Sequence, residues 1–178
     1  MLSGIKTRLS NVRTIKTLCG SAEHYALQDQ QRQAGAEHFL LAAIDLPDNT
    51  ARLAFREVGA DAAGFRDAVG AQYREALRSV GVNAGEYISG GLTPEPLQAA
   101  AGLYEAAPSG AEVMKELAAN RNDHHPLLGA HVVAIVAAME QGGAARALRC
   151  MGVDPAALKA AANKFSRASS RHTGPMGA

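Results

Sequence analysis

The chain has 178 residues, of which 47% are hydrophobic and only 4% aromatic, and its formal net charge is +1. This length is sufficient for one compact domain or two small lobes with a buried core. Ala, Leu and Val must build that core, which favours closely packed helices, and the near-neutral charge argues against a dedicated nucleic-acid binder.

Two features of the sequence indicate a cytoplasmic protein. The first 16 residues lack the continuous apolar centre of a signal peptide, and no run reaches the ~20 apolar residues that span a bilayer. Cys19 and Cys150 are therefore expected to stay reduced and separate from each other. We expect neither a membrane partner nor a cofactor.

The first part of the chain is predicted to form two helices with a turn after the second. Residues 1–16 are polar and weakly amphipathic, and we interpret them as a lead-in. Helix-compatible sequence follows over 17–33, and Gly35 provides a stop before a second helix over 36–45. Pro47 and the Asx residues after it end that helix, because they favour turns and caps.

Two further helices follow, and each has a recognisable beginning and end. Asp48 or Asn49 can cap the third helix, and Gly59 fits the left-handed position after it. Asp61 then caps a fourth helix, which Gly81 closes. The third helix has one apolar face with the spacing i, i+3, i+4, i+7, formed by Ala51, Ala54, Phe55 and Val58.

The second half of the chain is predicted to contain a linker and a new set of helices. Clustered glycines and lost periodicity predict a linker over 82–92. A helix is then expected from Thr93, which acts as its cap, to about Ala106. A break at 108–110 separates it from a helix over 111–119, and a polar loop follows.

A sequence repeat relates the two halves. The stretch 35–44 opens with polar residues and then becomes purely apolar, and the stretch 129–139 repeats this pattern at an offset of about 93 positions. His38 and Asp61 are 23 positions apart, and the corresponding residues of the second copy have the same separation. The residues paired at the offset of 93 include His38 with His131, Gly59 with Gly152, and Asp61 with Asp154.

Two tandem copies of one helical unit explain these matches. The β-branched run 132–136 could be a strand by itself, but its partner 39–43 prefers a helix. The sequence therefore predicts an all-α protein in which two pseudo-symmetric four-helix repeats pack as one compact bundle. The predicted boundaries are a lead-in over 1–16, repeat one over 17–81, a linker over 82–92, repeat two over 93–166 and a flexible tail over 167–178.

The repeated residues resemble the Clp N-terminal domain, the double four-helix repeat at the front of Clp-type AAA+ unfoldases. The resemblance covers about 17–165, which is nearly the whole chain. In the first copy it rests on Gly35, Glu37, His38, Leu40, Leu41, Ala42, Ala51, Phe55, Arg56, Gly59 and Asp61. In the second copy it rests on His131, Ala144, Leu148, Arg149, Gly152, Val153 and Asp154.

The resemblance implies a docking module that receives client peptides or adaptor proteins and passes them to a Clp ATPase. In some domains of this family, the glutamate of the Gly-x-Glu-His motif helps to bind phosphorylated arginine. The matching residue is Glu37, and Ala130 stands at this position in the second copy, so that at most one such site can persist. Because the sequence lacks a P-loop motif, we expect a non-enzymatic protein that recruits or sequesters clients of a Clp chaperone-protease.

The same polar residues also have a structural interpretation. Glu37, His38 and His131 lie at helix starts, where a carboxylate suits the helix dipole and a histidine can hydrogen-bond to the loop. The loop with His124 and His125 offers an alternative function, a small metal-dependent hydrolase, although the sequence shows neither a preceding strand nor further acidic ligands. A scaffold or sorting component of a larger assembly is a third alternative.

Overall fold

The computed structural model describes residues 2–79, 81, 106–124 and 126–172. Within these ranges the regular elements are all helices, which confirms the all-α prediction, and an isolated parallel bridge joins Ala34 to Ala106. The helices are α1 (Leu2–Gln28), α2 (Ala36–Ile44), α3 (Thr50–Glu57), α4 (Gly64–Ser79), α5 (Pro108–Ala119), α6 (Gly129–Ala137), α7 (Gly143–Cys150) and α8 (Pro155–His172).

The central helix of the fold is α2. All nine of its residues are buried, and it contacts α1, α3, α4, α5, α6 and α7. Phe39 and Leu40 have no exposed surface. Its sequence explains this position, because a helix that is apolar on every side is stable only in the interior.

The counterpart of α2 in the second half of the chain is α6. Both helices have nine residues and begin 93 positions apart, and α3 and α7 have eight residues each and begin at the same separation. α3 packs against α8, and α4 packs against α7. The last helix of each half therefore packs against the next-to-last helix of the other half. These contacts hold the two halves together.

The ends of α3 and α7 have the same local structure. Gly59 has φ of 74° and Gly152 has φ of 70°, in a region where a residue with a Cβ atom is strained. The carboxylates of Asp61 and Asp154 each accept a hydrogen bond, 3.0 Å long, from the backbone N–H two residues later. These residues end one helix and begin the next at matching positions.

The predicted lead-in over 1–16 is helical, because α1 already covers nearly all of it. A tertiary contact explains the difference. Asn11 Nδ2 donates a hydrogen bond to the carbonyl of His124 (2.7 Å), and Asn11 Oδ1 accepts one from the N–H of Leu127 (2.8 Å). The first of these bonds spans 113 positions, so the local sequence pattern gives no sign of it.

Two other boundaries differ from the prediction. The flexible tail was predicted over 167–178, but α8 continues to His172. Ser166 is only 8% exposed, so the helix still packs against the domain where the tail was expected to begin. Upstream, α5 includes the predicted break at 108–110, because Pro108 suits the first turn of a helix.

Part of the predicted organisation lies outside the described ranges. This part comprises the linker over 82–92, the helix from Thr93 and the last residues of the tail, 173–178. Among the helices that are described, none has both the length and the apolar character that crossing a membrane requires.

Candidate functional site

A groove of ≈ 680 Å³ opens between α5, α6 and α8. This volume lies in the range of pockets that accept small ligands or the side chains of a peptide. Polar and charged residues of α5 and α8 form its two walls. Its apolar floor comes from α6 and the turn after it, and consists of Ala134, Ile135, Ala138 and Met139.

The floor of the groove is a face of α6 that stays open within the described part of the chain. Ala134 and Ile135 are half-buried, whereas Val133 on the other side of the helix is completely buried. At the equivalent positions of α2, 93 residues earlier, Leu41 and Ala42 are both buried. Within the described residues, the first half therefore covers an apolar face that the second half leaves accessible.

The two halves also differ in the residue that the last helix places near this region. Tyr73 of α4 reaches α2, where its hydroxyl donates a hydrogen bond to Glu37 Oε1 (2.7 Å). The residue 93 positions later, in α8, is Ser166, which lines the groove and is much smaller. Burial and then the bond to Glu37 raise the pKa of Tyr73 well above its ordinary value, so the hydroxyl stays protonated.

A series of polar contacts also fills the first half. Arg66 Nη2 lies 3.0 Å from Asp29 Oδ1, and Asp29 Oδ2 lies 3.2 Å from His38 Nε2. The Arg66 guanidinium also packs over the ring of Tyr25, 4.9 Å from its centroid. The second ring nitrogen of His38, Nδ1, accepts a hydrogen bond from the N–H of Gly35 (2.9 Å). Both nitrogens of this fully buried histidine are thus engaged inside the fold.

His131 makes the same capping contact but lines the groove. Its Nδ1 accepts a hydrogen bond from the N–H of Leu128 (3.0 Å), as His38 does from Gly35. Its ring packs on that of His124, with 4.2 Å between the centroids and an interplanar angle of 45°. Burial first, and the neighbouring His124 second, lower the pKa of His131 to about 4. This histidine is therefore neutral at pH 7.

The two walls of the groove carry charges of opposite sign. Glu112 and Glu116 of α5 and the following Asp123 supply carboxylates, and Lys159 and Arg167 of α8 supply cations. Among the described residues, no ion pair joins one wall to the other. A bound chain with an apolar side chain between two charged ones would match this distribution.

Glu37, the predicted ligand-binding residue, does not line the groove. It is only 6% exposed, and its carboxyl group packs against Gly143, where an added Cβ atom would lie 3.2 Å from Glu37 Cδ. The carboxylate lies in the first turn of α2 and beside the first residue of α7, and the dipoles of both helices favour a negative charge there. A phosphoarginine would have to displace Tyr73 to take the hydrogen bond at Glu37 Oε1.

A second carboxylate, that of Asp48, lies at the equivalent junction between α3 and α6. The sequence predicted its contact with α3 but not its contact with α6. Asp48 was a predicted cap of α3, and its Oδ1 does accept a hydrogen bond from the N–H of Thr50 (2.9 Å). Its Oδ2 also accepts one from the N–H of Gly129 (3.1 Å), at the start of α6. Thr50 Oγ1 accepts another from the N–H of Ala130 (2.8 Å). Asp48 and Thr50, which lie before and at the start of α3, therefore accept hydrogen bonds from the first backbone N–H groups of α6. This is the helix that carries Ala130 in place of glutamate.

Replacing Glu37 with alanine is expected to lower the free energy of unfolding by about 2 kcal/mol, because the hydroxyl of Tyr73 loses its acceptor. Glu37→Gln keeps an acceptor oxygen and should lose less than half as much. Denaturant unfolding measures both changes, and Tyr73→Phe is the matched control that removes the donor instead. If Glu37→Gln retains stability but weakens the binding of phosphoarginine, the residue also binds a ligand.

A second cleft, ≈ 740 Å³ in volume, lies at the end of α3. One of its two arginines is already engaged, because Arg52 Nε donates to the carbonyl of Ile44 (2.8 Å) and Arg52 Nη2 donates to Asp45 Oδ1 (3.0 Å). Leu53 is its largest apolar lining residue. Its other apolar lining residues are glycine and alanine, whereas the groove of α5, α6 and α8 offers Ile135 and Met139 as larger apolar side chains. The groove is therefore the better candidate for binding a chain.

The alternative metal site at His124 and His125 can be followed only for the first of these residues, because His125 lies outside the described ranges. The ring of His124 packs against His131, and its backbone carbonyl accepts the hydrogen bond from Asn11. Within the described residues, no group of three or more His, Cys, Asp or Glu side chains could hold a metal ion.

Comparison with known protein families confirms the predicted resemblance for the first copy of the repeat. Residues 13–98 match the family model described as the Clp repeat (R) N-terminal domain. This range contains most of α1 and all of α2, α3 and α4, together with Glu37, His38, Gly59 and Asp61. No curated protein matches the chain. Over residues 13–98 the chain is therefore similar to the Clp repeat N-terminal domain family.

Proposed function

We propose that the chain is a non-enzymatic protein- and peptide-binding module, with the groove between α5, α6 and α8 as its binding surface. The observation that carries this proposal is the open apolar face of α6 at Ala134 and Ile135, between walls of opposite charge. Apolar burial supplies most of the binding free energy, and the flanking charges select the partner and its register.

The expected affinity is modest. Each apolar side chain that a partner buries against Ile135 and Met139 contributes about 1.5–3 kcal/mol, and ordering an extended chain cancels part of this gain. Two such anchors together supply about 3–6 kcal/mol, which leads to dissociation constants between about millimolar and tens of micromolar. Affinity of this order suits a domain that must capture chains and then release them.

The family of residues 13–98 supports a role in a Clp system. In this proposal the partners are client peptides or adaptor proteins of a Clp chaperone-protease. The module either delivers these partners to the ATPase or keeps them away from it. The groove has carboxylates on α5 and cations on α8. It should therefore prefer clients in which an apolar residue lies between charges of opposite sign.

Ile135→Glu is expected to reduce capture of clients and Clp components by about tenfold, because a bound chain would have to bury the new carboxylate against the apolar floor. The measurement is affinity capture from a cell lysate, quantified by mass spectrometry, with the wild-type protein beside the variant. Ile135 is half-buried, so the substitution leaves the completely buried core side chains in place.

The matched control is Leu53→Glu, which adds the same charge to a half-buried leucine of α3 outside the groove. It should leave capture unchanged. Equal losses in both variants, or recovery of neither a client nor a Clp component by the wild type, would contradict the proposal. Metal analysis of the purified protein tests the hydrolase alternative, which a stoichiometric metal would favour.

A further inference from the structure

The outer face of the first half of α1 bears two apolar side chains that are mostly exposed. Leu9 is 60% exposed and Val12 is 63% exposed, and they are the exposed large hydrophobic residues of the described structure. They are three positions apart and therefore share one face of the helix. Leu18, nine positions after Leu9, is completely buried, so this face points away from the core.

The apolar residues of this face have the spacing of a coiled-coil interface, which is called the seam below. Leu9 and Val12 take the a and d positions of a heptad, and the sequence places Leu2 and Ile5 at the preceding positions of the same pattern. α1 is continuous through this region. The stripe is narrow, because the opposite side of the helix carries Asn11 and already contacts the loop before α6.

Cations flank the stripe on both sides. Arg8 and Arg13 occupy the g and e positions beside Leu9 and Val12, and both side chains are exposed. No ion pair involves either arginine within the described residues. The first 22 residues of the chain contain four Lys and Arg and no Asp or Glu, so that the first half of α1 offers no acid to neutralise them.

We infer that this face of α1 docks an acidic amphipathic helix of a partner protein, with apolar residues at a and d and Glu or Asp at e and g. A second copy of the chain is disfavoured, because two such helices would place cations opposite cations along both edges of the seam. An anionic membrane calls for a broad apolar face, and a nucleic acid makes no use of an apolar stripe. The surface is separate from the groove of α5, α6 and α8.

The test uses the full chain and two fluorescent helical peptides with Leu at a and d. One peptide carries Glu at e and g, and the other carries Lys there. The Glu peptide is expected to bind at least about tenfold more tightly by fluorescence anisotropy, and lower salt should widen the difference. Equal binding of both peptides would overturn the inference.

Three variants locate the site. Leu9→Ser combined with Val12→Ser should weaken the Glu peptide by about tenfold or more, because the seam loses its apolar contacts. Arg8→Glu combined with Arg13→Glu should reverse the preference between the two peptides. Ser10→Ala, an exposed change on the same helix but off the stripe, should have no effect.

Two other occupants give different outcomes. Concentration-dependent dimerisation in sedimentation equilibrium that is lost in the Leu9→Ser and Val12→Ser variant would show that a second copy covers the face, and would overturn the inference. Binding to phosphatidylcholine vesicles that contain phosphatidylglycerol, without binding to the Glu peptide, would also overturn it. Since Ile135→Glu leaves α1 unchanged, it should not alter binding of the Glu peptide.

Discussion

Gly110→Ala is expected to lower the free energy of unfolding by about 3 kcal/mol, as overpacking at a rigid contact does. An added Cβ atom would lie 2.2 Å from the carbonyl oxygen of Ala34 and 3.1 Å from Cε2 of Phe39. The carbonyl cannot yield easily, because it also accepts a hydrogen bond from the N–H of Ala107 (3.0 Å). α5 would have to move away from α2, and the acidic wall of the groove would move with it.

Gly20→Ala is the matched control for this prediction, and its effect should have the opposite sign. Gly20 lies inside α1, and a Cβ atom added there meets nothing within 4 Å. Alanine should therefore stabilise the protein by about 0.5–1 kcal/mol, through helix propensity and a less flexible unfolded chain. Denaturant unfolding of the two variants measures both values, and similar effects would refute the close contact at Gly110.

Acidification from pH 6.5 to 4 is expected to remove up to about 3 kcal/mol of stability through His131 alone, at about 1.4 kcal/mol for each pH unit. The fold lowers the pKa of this histidine from 6.5 to about 4. The unfolded chain therefore binds a proton below pH 6.5 that the folded protein does not accept until about pH 4. The stability contribution is complete above pH 6.5 and declines as the pH falls towards 4.

His131→Gln should remove this part of the pH dependence, although loss of the Leu128 cap lowers stability by a constant amount. His24→Gln is the control, because His24 is an exposed residue of α1. Denaturant unfolding at a series of pH values gives the difference between the proteins, and NMR titration of the imidazole protons reports the pKa directly. A midpoint near 6.5 for His131 would contradict the burial argument.

Much of the fold could be predicted from local sequence, because its helices follow apolar runs and their ends follow strong local rules. Gly59 and Gly152 adopt the left-handed conformation, and Asp61 and Asp154 accept the capping hydrogen bonds, as expected from glycine and aspartate at those positions. The extent of α1 could not be predicted in this way. Asn11, in the part of α1 that was not predicted, makes two hydrogen bonds to a loop more than a hundred positions away.

The candidate groove was beyond local reasoning for a different reason. A helix that is apolar on all sides predicts burial, and α2 and α6 have nearly the same pattern. They differ in their surroundings, and one such difference is Tyr73 in the first half against Ser166 in the second. Sequence reasoning therefore selected the polar motif residue Glu37 and did not select Ile135, whose exposure depends on how the other helices pack around α6.

The two acidic junctions have a consequence for how far the halves can substitute for each other. One junction takes its carboxylate from within α2, at Glu37, and the other takes it from the turn before α3, at Asp48. A chimera built from two first halves would place both acids in each junction, where like charges repel. A chimera built from two second halves would have neither. The halves are therefore complementary pieces, and a substitution that suits one junction need not suit the other.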